Sequence, residues 1–146
     1  VVNPENVVDV TRLIQLAVAP VFLLTAVGTI IGVLSNRLGR AVDRSRTLED
    51  RLRQLQPEGQ KVARAELNVL SRRVRLVYGS IVLSVICALF VGLLIAVAFV
   101  DAFIAIDLSK FIGLLFIAAM LAFILSLLVF LREIFLAVSS ARSQMR

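Results

Sequence analysis

Three uncharged apolar runs, Leu13 to Ser35, Val77 to Val100 and Phe111 to Leu131, take up nearly half of this 146-residue chain. A bilayer's hydrocarbon core, about 30 Å thick, is crossed by about 20 residues of helix at about 1.5 Å rise per residue. Inside it each backbone N–H and C=O must find its partner within the protein, so an uncharged run of this length resolves as an α-helix. The runs therefore predict an all-α fold with three transmembrane helices, at 13–35, 77–100 and 111–131. A content of 60% hydrophobic residues points the same way, since soluble domains carry roughly 45–50%. With short ends, residues 1–146 read as one membrane domain, and three helices alone cannot enclose a wide polar cavity.

Charge fixes the expected orientation. The segment between the first two runs, residues 36–76, holds eleven Lys or Arg against five acids, whereas residues 1–12 and the 101–110 connection are each net −1 and the 132–146 tail is net +2. Short loops rich in Lys and Arg stay in the cytoplasm. That predicts a multi-pass protein of a bacterial inner membrane, its N-terminus outside and its C-terminus inside. The basic balance then implies anionic lipid headgroups as partners and no nucleic acid. The first run reads as a retained anchor, because it lacks a basic leader and exceeds the 7–15 apolar residues of a signal sequence. The missing initiator Met reads as a processed end.

The basic segment has helical periodicity. Leu38, Ala41, Ser45, Leu48, Leu52 and Leu55 recur at alternating spacings of three and four, and Ala63, Leu67, Leu70, Val74 and Val77 do so after a break at Gln56-Pro57-Glu58-Gly59. Pro is expected to end the first arm and Gly to take the unusual dihedrals of the reversal. Arms of 36–56 and 60–76 would be about 31 and 25 Å long. They predict a cytoplasmic antiparallel helical hairpin, with a flat amphipathic helix on the headgroups as the rival.

Several local signals refine the helices. Asn3, Pro4 and Glu5 resemble a helix start leading through a short interfacial helix into the first run. Pro20 removes a hydrogen-bond donor inside that run and predicts a kink. Gly28 and Gly32 form a GxxxG pair, and Ser80, Ser84, Ala88, Gly92 and Ala96 put a small residue at each fourth position of the second run. Small residues let helix backbones approach closely in lipid. The stripe predicts a tight interface, within the chain or with a neighbour. Asp107 is placed to cap the third helix, and Arg132 and Glu133 mark its inner boundary.

The stretch Ile14 to Val21 and the run Asn36-Arg37-Leu38-Gly39-Arg40-Ala41-Val42-Asp43-Arg44-Ser45-Arg46 resemble the signature of a small bacterial membrane family, the domain of unknown function numbered 2721. The most specific part is the NRLxRxxDRxR pattern. The resemblance implies three spans with a charged loop after the first, and it implies no catalytic residues.

Arg37, Arg40 and Arg44 fall on roughly one helical face at the membrane exit, with Asp43 and Arg46 beside them. Such a cluster suits lipid phosphates or a partner surface. It also allows Asp43 to pair with Arg72 or Arg73 across the hairpin, or a ring of arginines at the mouth of an oligomeric pore. There is no His and one Cys, Cys87, so no zinc cluster or His-based acid–base chemistry is expected, and no phosphate-loop or dinucleotide motif is present. No cofactor is expected. The function predicted is a non-enzymatic oligomeric membrane scaffold or an accessory subunit of a larger assembly, with a homo-oligomeric ion channel as the alternative.

Overall fold

The computed structural model describes residues 4–104 and 106–144, with side chains described from residue 10 to 142 within that range. Three helices make up the described chain: α1 (Pro4–Leu52), α2 (Pro57–Phe103) and α3 (Ser109–Gln144). Each is long and apolar enough to cross a membrane. The first apolar run thus continues without interruption into the basic segment, and the third continues well past Arg132. The segment ahead of the first run is helical from Pro4 and continuous with that run as the opening of α1; Asn3 lies outside the described residues.

The reversal between α1 and α2 sits earlier than its sequence suggests. α1 ends at Leu52, residues 53–56 form the turn, and Pro57 opens α2 rather than closing α1. The reason is that Pro has no N–H to lose in a first helical turn and its φ is already helical. Gln56 accepts the N–H of Gln60 at 3.0 Å as the first bond of α2, and Glu58 lies at the positive end of the helix dipole. Gly59 is therefore helical, not a turn residue, and among the described residues no glycine has a positive φ. Its open face packs against the side chain of Leu55.

The chain divides into two compact units. In the first, made of α1 up to Ile30, α2 from Ser84 and α3 up to Ile124, Pro20 and Val27 of α1 are buried seven residues apart. They share a core with Ser84, Cys87, Val91 and Leu94 of α2 and Leu115, Ala119 and Ala122 of α3, at spacings of three and four. α1 runs on through Pro20 as helix. The exterior of this unit is apolar: Phe22, Leu89, Phe103 and Leu114 are 71%, 67%, 86% and 63% exposed. Asp101 and Asp107 fasten the α2–α3 connection, Asp101 accepting the N–H of Leu108 at 2.8 Å and Asp107 accepting that of Ser109 at 3.1 Å. The Asp107 carboxylate also takes the Ser109 hydroxyl, so it serves as the expected cap.

The second unit comprises residues 31–83 and 125 onward. Its core repeats at sevens: Leu34, Ala41 and Leu48 on α1, Ala63, Leu70 and Val77 on α2, and Ser126 and Glu133 on α3. With Ser80 buried one turn beyond Val77, this recurrence at sevens is that of knobs-into-holes packing in a left-handed bundle. Residues 38, 45 and 52 of α1 and 67 and 74 of α2 flank that seam half-buried, as their periodicity predicts, while Leu55 is exposed in the turn.

Candidate functional site

Two polar layers, one heptad apart, interrupt the seam of the second unit. In the upper layer Ser80 and Ser126 are fully buried and reciprocate: the Ser80 hydroxyl donates to the Ser126 carbonyl at 3.1 Å, and the Ser126 hydroxyl donates to the Ser80 carbonyl at 2.8 Å. Only small side chains permit backbones to come near enough for such exchange. Seven residues along each helix stand Arg73 on α2 and Glu133 on α3.

Glu133 has 1% of its side chain exposed. Its Oε2 accepts from a terminal nitrogen of Arg37 on α1 at 2.7 Å, and its Oε1 accepts from Nε and Nη2 of Arg73 at 3.2 and 3.1 Å. One carboxylate thus joins all three helices through three charge-assisted hydrogen bonds, the strong class. The Arg37 guanidinium also lies over the Phe130 ring, 5.2 Å from its centroid, one helical turn from Glu133. Among the described residues no buried side-chain polar atom lacks a hydrogen-bond partner. Of the alternatives the arginine run allowed, the pairing of Asp43 with Arg72 or Arg73 is not formed among the described residues. Arg73 sits at a seam position facing α3, whereas Asp43 is exposed and its backbone carbonyl, rather than its carboxylate, bonds to Thr47.

Further along the polar arms, Arg44 grips Glu66 through Nε and Nη2 at 3.2 and 2.9 Å, linking α1 to α2. Arg37, Arg40, Arg44 and Arg73 line one recess of about 330 Å³ whose floor includes Ala41 and Leu70. Arg40 is exposed and has no ion-pair partner among the described residues. Arg46 lies outside this recess and borders a different open groove with Glu49 and Asn68. The arginine run of α1 is thus split: three of its members share a site, and Arg46 does not.

The small-residue stripe also divides. Ser80 and Ser84 are buried, Ala88 is half-buried, and Gly92 and Ala96 are exposed. Steps of four residues advance about 400° around a helix of 3.6 residues per turn, so the row drifts about 40° per step away from a seam that repeats at sevens. Gly28 and Gly32 face open space, with no atom near the position a Cβ would take. Among the described residues no three His, Cys, Asp or Glu side chains gather as a metal site would require.

The model of a family described as a protein of unknown function (DUF2721) matches residues 17–143. The chain belongs to this family. No curated protein and no solved structure matches this DUF2721 chain. The matched region takes in the whole arginine run together with Arg73 and Glu133, so the three-helix ion cluster lies within the family's own span. Glu133 is the residue that sequence reasoning placed only as a boundary marker. The available signal was its spacing: it is the only acid of α3 and stands seven residues after Ser126, on the buried seam.

Proposed function

We propose that this chain is a non-enzymatic, multi-pass protein of a bacterial inner membrane. Its polar arms form a cytoplasmic helical hairpin, and it acts as an oligomeric scaffold or accessory subunit of a larger membrane assembly. The observation that carries this reading is the division of labour among its surfaces. The α1–α2–α3 seam is closed on itself by the Glu133 cluster, while apolar side chains remain exposed on the polar arms: Val62 and Val69, one heptad apart on α2, are 71% and 39% exposed. Lipid would cover Phe22 or Leu114 but not Val62, which lies fifteen residues before Val77, where the uncharged run of α2 begins. A partner protein is the natural cover. Gly28 and Gly32, facing open space, offer a second contact for a neighbouring helix.

The test is the composition of a native extract in mild detergent. The expected result is stable co-purification with one larger complex, lost on Val62→Glu, and self-association lost on the Gly28→Ile/Gly32→Ile pair without change in monomer helicity. Reproducible unitary currents from the purified chain in planar bilayers, abolished by Arg40→Glu, would instead establish the channel reading. Arg37 and Arg44 speak against a pore ring, since both are engaged by carboxylates of their own chain.

A further inference from the structure

We infer that the recess framed by Arg37, Arg40, Arg44 and Arg73 is a binding site for one phosphate dianion, carried by a phosphomonoester lipid headgroup or present as free phosphate. Four guanidiniums line it, and the carboxylates of Glu133 and Glu66 offset two of them, leaving two positive charges for a dianion. The carboxylates do more than neutralise. Glu133 is buried, is not among the residues that line the recess, and holds Arg37 and Arg73, while Glu66 holds Arg44, so three of the four forks are already oriented before any ligand arrives. Holding a fork in place reduces the ordering penalty of binding, and planar guanidiniums suit phosphate oxygens in bidentate fashion. Arg40, exposed and without an ion-pair partner among the described residues, is the arginine with full donor capacity for the ligand. The volume of about 330 Å³ admits a phosphate with part of a headgroup attached.

Depth favours the lipid source. Arg37 is the first charged residue after the apolar run of α1, and Arg75 and Arg132 mark the same limit on α2 and α3, so the recess opens where headgroup phosphates lie if the chain spans a membrane. The source assignment rests on that membrane reading, whereas the phosphate chemistry does not.

The test uses the full chain in mild detergent, with native mass spectrometry reading bound phosphatidic acid against phosphatidylcholine, and a parallel titration with inorganic phosphate. One phosphatidic acid per chain is expected, weakened about ten-fold by Arg40→Gln, the value of one charge-assisted hydrogen bond. Arg46→Gln, which removes the same charge outside the recess, is expected to weaken it by less than about two-fold. Displacement of the lipid by millimolar inorganic phosphate assigns the site to a free anion, and its persistence assigns it to the headgroup; both support the inference. Equal loss in the two variants, or no preference over phosphatidylcholine, overturns it. Alkaline carbonate extraction keeps the two readings apart, because a chain that stays embedded yet ignores phosphate sinks the inference alone.

Discussion

Removing both arginines from Glu133 should be far worse than the separate losses suggest. Arg37→Ala removes one 2.7 Å charge-assisted bond and Arg73→Ala removes two, at 3.1 and 3.2 Å, yet after either change the carboxylate keeps a guanidinium. Both arginines are about a third exposed and Glu133 is 1% exposed, so the arginines have an alternative in water or headgroups and the carboxylate has none. Each single replacement is then expected to cost about 1.5 kcal/mol, at the low end for such bonds because partners are also found in the unfolded state in lipid. The double replacement leaves an uncompensated buried charge, about 5 kcal/mol, against a sum of singles of about 3. The difference, about 2 kcal/mol of coupling, is the quantity to measure, by reversible unfolding in mixed micelles titrated with dodecyl sulfate and followed by circular dichroism. A further Glu133→Met change on the double background should recover most of the loss, since a well-packed apolar side chain is commonly no worse than a buried ion cluster. Strict additivity, or a triple variant no better than the double, would refute the reasoning.

The remaining predictions are smaller. Ser80→Ala and Ser126→Ala each remove one of the two reciprocal bonds and should cost about 0.6–1.7 kcal/mol in the same unfolding assay, with the pair less than additive because they share one contact. Arg44→Ala, which breaks a pair whose side chains are 51% and 27% exposed, should shift stability by no more than about 1 kcal/mol, and that shift should shrink in high salt. Hydrogen bonds from the Ser109 side chain and backbone hold the Asp107 carboxyl below its ordinary value. A carboxyl lowered in the folded state stabilises it fully above the unfolded value and loses that contribution as pH falls through the folded one. Acid below the usual carboxylate range should therefore fray the start of α3, seen as faster amide exchange at Ser109, and Asp107→Ala should show that exchange at neutral pH.

How far the sequence reaches is best judged at particular residues. Ala41, Leu48, Ala63, Leu70 and Val77 announce the seam of the second unit through spacing alone, and the structure buries all five. Pro57 announces a boundary but not its side. The same residue that cannot continue a helix is well suited to begin one, and only the bonds at Gln56 and Gln60 decide between the two. The partner of Arg73 was hidden for a different reason. A local pattern can pair α1 with α2 because a turn joins them, but Glu133 lies sixty residues away, and its burial follows from the phase of α3 against both other helices. The small-residue stripe was legible as composition, yet its period of four departs from the seven-residue period of the core, so Gly92 and Ala96 leave the seam.

The serine exchange and the glutamate cluster, one heptad apart on α2 and α3, act together as a vernier. Inserting a single residue between them on either helix would turn one mark about 100° relative to the other, sending Glu133 or Arg73 out of the seam while the serines stay engaged. The two helices can therefore lengthen between the marks only in whole heptads taken jointly, which makes the spacing between the marks, rather than the identity of the apolar residues around them, the quantity that this bundle holds constant.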